Sequence, residues 1–142
     1  MSTTIAANEQ RVVEAAPQQL YIGGEWRDGG EGTFPVEDPS TGDSLCEVAD
    51  ASVDDARAAL DAAVAAGPAW AVHPPLERAE ILRRAYEAII ARQNELALLM
   101  TLEMGKPLSE SNAEIVYGAG FLRWFSQQAE RIDGRFAVAP SG

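Results

Sequence analysis

Few residues in this sequence could do chemistry. A lysine stands beside a glycine at Gly105-Lys106 in "TLEMGKPLSES" (101–111), and glycines crowd "GGEWRDGGEG" (23–32). Cys46 is the only thiol and His73 the only imidazole. A Gly-Lys pair is the centre of a phosphate-binding loop, and clustered glycines let backbone approach a dinucleotide. The phosphate loop fails at two fixed points. It needs glycine five residues before the pair and Ser or Thr after the lysine, and the chain has Met100 and Pro107 there. The glycine-rich stretch lacks G-x-G-x-x-G, because Pro35 stands where the last glycine belongs. It also runs into a strand pattern rather than a helix.

An active cysteine needs a cation, a helix N-terminus or an imidazole to hold its thiolate. Cys46 lies in the strand-like "SLCEVA" beside Glu47, and a carboxylate raises a thiol pKa. A packing role follows. His73, between Val72 and Pro74, reads as a surface or capping residue, although spacing alone leaves a Cys46–His73 pair open. One Cys and one His cannot build a Cys/His zinc site. Tyr117, Phe121, Trp124 and Phe125 recur at helical spacing, which marks core more often than a substrate wall. Arg78, Arg83 and Arg84 lie among glutamates and read as a solvated helix face.

The elements that would position these residues are legible in outline. Residues 1–18 read as a loose, flexible arm with at most a transient helical turn in "QRVVEAA". Order begins at "QLYIGGEWRDG", where Gly23-Gly24 separates two alternating runs, a hairpin signature. "EDPSTGD" is a turn cluster and "SLCEVA" a short strand. Residues 52–68 read as an alanine-rich helix capped by Ser52, with Asp54 and Asp55 at its positive end and Gly67-Pro68 stopping it. Its stripe is Val53, Ala56, Leu60 and Val64. A second helix opens near Pro75 with Ala79, Leu82, Tyr86, Ile89 and Ile90 on one face. Asn94-Glu95 marks a recap, and Leu96, Leu99 and Met100 continue.

Gly105 then fits a helix C-terminus, where positive φ is easy without a Cβ. Lys106 suits the negative helix end, and Pro107 opens the next helix. That helix carries Ile115, Val116, Ala119, Leu122 and Phe125. Gly118 and Gly120 inside it mean either close approach to a neighbour or tolerated slack. "RFAVAPSG" begins a strand. The fold class is therefore α/β: a hairpin with short strands, then about four helices, then the start of a strand.

Composition bounds the function. The chain has 22 acidic and 11 basic residues, a formal net charge of −11, and 46% hydrophobic residues. That balance excludes nucleic acid and anionic membrane surfaces, which require clustered cations. No apolar run approaches the ~20 residues of a membrane span. A single cysteine and no secretory pattern at the start place the chain in a reducing cytoplasm.

The order of segments carries a resemblance. "YIGGEWRDG", "VEDPSTGDSLCEVADASVDDARAALDAA", "ERAEILRRAYEAI", "ELALLMTLEMGKPLSES" and "FLRWFSQQAERIDG" together resemble the N-terminal region of the NAD(P)-dependent aldehyde dehydrogenases. Within that family they are most similar to the succinate-semialdehyde dehydrogenases. "LEMGKPLSE" is the most specific block, and the resemblance runs from about Leu20 to the last residue.

The resemblance implies an oxidoreductase that converts a small aldehyde, succinate semialdehyde, to its acid with NAD or NADP. In the family a cysteine thiolate attacks the aldehyde, an asparagine and a backbone N–H hold the oxyanion, and a glutamate activates the hydrolytic water. All of these, with the cofactor-contacting segments, lie beyond the matched stretch. Cys46 does not correspond to the family's nucleophile. The chain is thus expected to be a fragment, inactive alone and binding no cofactor unaided. The resemblance divides it into an arm (1–18), part of the cofactor-binding domain (19–133) and a strand leading to an oligomerisation domain (134–142), without the catalytic domain. It further implies a homo-oligomeric parent, a monovalent-cation site at Glu103 with Val36 and Glu37, and a substrate tunnel bordered by Tyr117 and Phe121. The alternative is a stand-alone helical module that docks on full-length subunits.

Overall fold

The structure, a computed structural model, describes residues 7–134. The elements in order are α1 (Ala7–Glu14), β1 (Leu20–Ile22), β2 (Glu25–Arg27), β3 (Thr33–Glu37), β4 (Ser44–Ala49), α2 (Val53–Ala71), α3 (Pro75–Ala91), α4 (Gln93–Met104) and α5 (Leu108–Ala129). The mixed α/β class stands. The strands form two separate antiparallel pairs, β1–β2 and β3–β4.

The first pair forms as its glycines require. Ile22 pairs with Glu25 across Gly23 and Gly24, whose φ values are +65° and +91°. Two consecutive positive φ values match the right-handed twist of the strands they join. In the second pair Val36 opposes Cys46, and the register shifts between Val36 and Glu37. The turn beyond is organised by Asp38, which accepts from the Ser40 N–H at 2.8 Å and the Ser40 hydroxyl at 2.6 Å. Those bonds hold its carboxyl below the usual carboxylate value.

The helix start at Ser52 is a reciprocal cap. Ser52 Oγ accepts from Asp55 N–H at 3.2 Å, and Asp55 Oδ2 accepts from Ser52 N–H at 2.8 Å. Asp55 Oδ2 also accepts from Gly30 N–H at 2.9 Å. The glycine-rich stretch therefore serves close packing. A Cβ at Gly30 would lie 2.6 Å from Ser52 Oγ, and one at Gly29 only 2.0 Å from Asp50 O.

Four expectations are corrected. The arm is not loose throughout: residues 7–14 are α1, with Val12 and Val13 buried against Leu102 and beside Leu45, Cys46, Leu98 and Leu99. Arg11 reinforces the contact by pairing with Glu95 at 2.9 Å. Second, Pro68 does not stop α2, which runs through it to Ala71. Proline forfeits one intrahelical bond, and on this helix none of whose residues is buried, water can satisfy the freed carbonyl. Third, Asn94 does not recap. Arg92 is the joint, its N–H donating to Ile89 O and its carbonyl accepting from Leu96 N–H. Fourth, Arg78 is half-buried, unlike Arg83 and Arg84 on the solvated face. The expected strand over 134–142 lies outside the described residues except for Gly134, which has no regular structure.

Helices α3, α4 and α5 pack together. Ala79, Ala97 and Ala119 are buried, and their small side chains let the axes approach. Ser111 is fully buried and meets Thr101 Oγ1 at 2.8 Å. Gln93 donates to Asn112 Oδ1 at 3.1 Å. Ser111, which the packing removes from water, thus keeps a hydrogen-bond partner.

Candidate functional site

The α4–α5 joint is a helix end rather than a phosphate cradle. Gly105 has φ +71° and its N–H donates to Thr101 O at 2.8 Å. A Cβ there would lie 2.9 Å from Pro39 Cγ. The residue is glycine for two reasons, its left-handed backbone and the proline ring against it. Lys106 is directed to Glu114, Nζ to Oε1 2.6 Å, with a largely covered side chain.

The Gly105–Pro39 contact brings the end of α4 against the end of the β3–β4 hairpin. The three residues of the expected cation site come from these two ends: Glu103 from the last turn of α4, Val36 and Glu37 from the bulged end of β3. Glu103 and Glu37 are exposed and Val36 is half-buried. Among the described residues, no group of three or more His, Cys, Asp and Glu side chains is arranged to hold a metal. Any site at this corner would therefore depend on main-chain oxygens.

Cys46 lies on β4 opposite Val36. Burial pushes its thiol above the usual 9.0, and the Glu103 and Glu47 carboxylates push it the same way. Each influence favours the neutral thiol, the opposite of what a nucleophile needs. His73 lies elsewhere, at the α2–α3 joint, where it meets Glu77 at 2.9 Å and stacks on Trp70 with ring centroids 5.8 Å apart. The structure does not bring the thiol and the imidazole together.

The outer face of α5 is strongly apolar. Tyr117 is 71% exposed and Phe121 47%, their rings edge-on at 5.1 Å. With Val116, Gly120, Trp124 and Phe125 they border an open groove of about 460 Å³. These aromatics are exposed rather than core, against the reading from spacing. The two apolar faces of α5 overlap in sequence: Ala119 is buried, while Val116 and Phe125 are exposed. Among the described residues a Cβ at Gly118 or Gly120 would meet nothing within 4 Å, so neither glycine serves a close approach there. The α2 stripe is likewise uncovered, with Val53, Leu60 and Val64 each more than 60% exposed.

Comparison with known proteins places this arrangement. The model of the aldehyde dehydrogenase family matches residues 26–141. The chain is 54% identical over 98 residues to a succinate-semialdehyde dehydrogenase of Paenarthrobacter nicotinovorans, covering 69% of this chain and 22% of that protein. It is 46% identical over 118 residues to the NADP-dependent succinate-semialdehyde dehydrogenase of Escherichia coli K12, covering 82% and 24%. Its fold matches Staphylococcus aureus betaine aldehyde dehydrogenase in complex with NAD+ at a TM-score of 0.89 and 26% identity, over 94% of this chain and 27% of that one.

The chain belongs to the aldehyde dehydrogenase family, and it spans about a quarter of the length of these relatives. Among the described residues, no helix is long and apolar enough to cross a membrane.

Proposed function

We propose that this chain is the hairpin-and-helix scaffold of an aldehyde dehydrogenase that oxidises succinate semialdehyde to succinate with NAD or NADP. The observation that carries this reading is the 46% identity to the E. coli enzyme across 118 residues. The dinucleotide, when bound, accepts hydride. No residue of this chain is assigned to holding it. The groups that attack the aldehyde, hold the oxyanion and activate water are assigned to polypeptide outside these 142 residues; for the nucleophile, the raised pKa of Cys46 within a strand supports this. Tyr117 and Phe121 border the passage through which the aldehyde enters, their exposed rings excluding water from its apolar stem. Glu103, with main-chain oxygens near Val36 and Glu37, holds a monovalent cation; oxygen donors of this type suit a hard ion. The active protein is a cytoplasmic homo-oligomer.

A second reading has one specific support. The α2 stripe is uncovered, with Val53, Leu60 and Val64 each more than 60% exposed, and α5 exposes Tyr117 and Trp124. Uncovered faces of that extent suit a helical module docking on full-length subunits. Reading the gene past codon 142 separates the two. An open frame encoding a cysteine, glutamate and asparagine site, with a product that oxidises succinate semialdehyde, supports the first. A stop followed by unrelated sequence supports the second.

A further inference from the structure

We propose that the cleft where the C-terminal part of α5 meets α2 and α3 docks a polypeptide segment presenting a carboxylate beside an apolar side chain. Trp70, Arg78, Leu82, Phe125, Gln128 and Ile132 border this cleft, whose volume is about 300 Å³. The reason lies in Arg78. Its α3 neighbours Arg83 and Arg84 both pair with Glu80. Arg78 has no carboxylate partner among the described residues, and its Nε is shielded from solvent without any acceptor. Its surroundings in the cleft are apolar apart from Gln128. A guanidinium donor removed from water and left unmatched is unfavourable until an acceptor reaches it.

The same cleft leaves apolar surface uncovered: Trp70 is 45%, Phe125 54% and Ile132 71% exposed. An occupant bearing both an acidic group and an apolar body would satisfy both deficits at once. The cleft is open-sided, and a small acid would leave much of its own surface in water, whereas a chain segment covers the walls as it delivers the carboxylate. The larger part of each relative has no counterpart in this chain, and that remaining fold is the source we assign to the segment. The inference rests on family membership but not on the proposed aldehyde oxidation.

The test uses the 142-residue chain and a probe peptide, acetyl-Leu-Asp-Phe-amide, followed by NMR at the Arg Nε–H resonances. The Arg78 signal is identified by its loss in Arg78→Met. The expected result is a saturable downfield shift of that signal. The Asn analogue should bind about tenfold or more weakly, the loss typical of a charge-assisted contact. Arg78→Met should abolish binding while leaving the chain's own Tm unchanged or higher, since it removes an unmatched buried donor. Arg78→Lys, which keeps the charge without the planar fork, should retain weakened binding. Equal binding of the Asp and Asn peptides, no shift at millimolar peptide, or a lower Tm for Arg78→Met would overturn the proposal. So would a concentration-dependent dimer lost in Arg78→Met, which would make a second copy the occupant.

Discussion

Replacing Gly105 with alanine probes the joint on which the α4–hairpin corner depends. Two penalties act there. The backbone sits at φ +71°, and a non-glycine residue in the left-handed region loses about 1–2 kcal/mol. The new Cβ would also lie 2.9 Å from Pro39 Cγ. That atom belongs to a ring fixed in the Asp38 turn, so backbone rather than a flexible side-chain end must move, at a further cost of about 1–3 kcal/mol. Gly42 supplies the control. Its φ is +77° and a Cβ there meets nothing within 4 Å, so Gly42→Ala incurs the first penalty alone. Urea unfolding followed by far-UV circular dichroism should place Gly105→Ala about 1–3 kcal/mol below Gly42→Ala at unchanged m-value. Equal losses in the two variants would show that α4 does not rest on the hairpin turn. A neutral Gly105→Ala would remove the left-handed cap as well.

Other outcomes follow from the same geometry. Asp38, Asp55 and Glu95 are each held below their ordinary values, Asp38 and Asp55 chiefly by serine hydroxyls and Glu95 chiefly by Arg11. Their contribution to stability is complete above the unfolded values of 3.8 and 4.5, and it is lost as pH falls through the lower folded ones. Asp55→Asn should flatten the acid limb of a stability–pH curve, and an unchanged limb would contradict the Ser52 cap. The Cys46 thiol should react with a disulfide reagent more slowly in the folded chain than in urea at the same pH, with Glu103→Gln narrowing the gap. If a cation sits at Glu103, potassium should lower the Cys46 pKa relative to tetramethylammonium, and an identical titration in both salts would argue against the site. Tyr117→Ala and Phe121→Ala should each change stability by less than about 1 kcal/mol, because both rings are exposed. Losses of core size would return these rings to a packing role.

What could be read from the sequence was local. The Gly23-Gly24 turn, the Ser52 cap and the Gly105 stop each depend on residues within a few positions of one another, and each appears where the residue types required. The misses were long-range. Nothing near Val12 and Val13 indicates that Leu102, far along the chain, will bury them. The continuation of α2 through Pro68 depends on the helix being uncovered, which no local pattern records. Arg78 shares its spacing and its glutamate neighbours with Arg83 and Arg84, and only its place in the cleft between α3 and α5 sets it apart. The exposure of Tyr117 and Phe121 was hidden because α5 is apolar on two sides, so periodicity could not distinguish the packed face from the open one. On the nucleophile, composition left a single thiol to weigh, and the structure places Cys46 in a strand where burial and the Glu103 and Glu47 carboxylates raise its pKa.

The central claim is that these 142 residues provide scaffold and wall while the reacting groups lie in other polypeptide. The most direct measurement is nicotinamide absorbance after mixing the purified chain with succinate semialdehyde and either NAD or NADP. The account predicts no reduction of either dinucleotide above the enzyme-free rate. Sustained reduction that disappears in Cys46→Ala would contradict it.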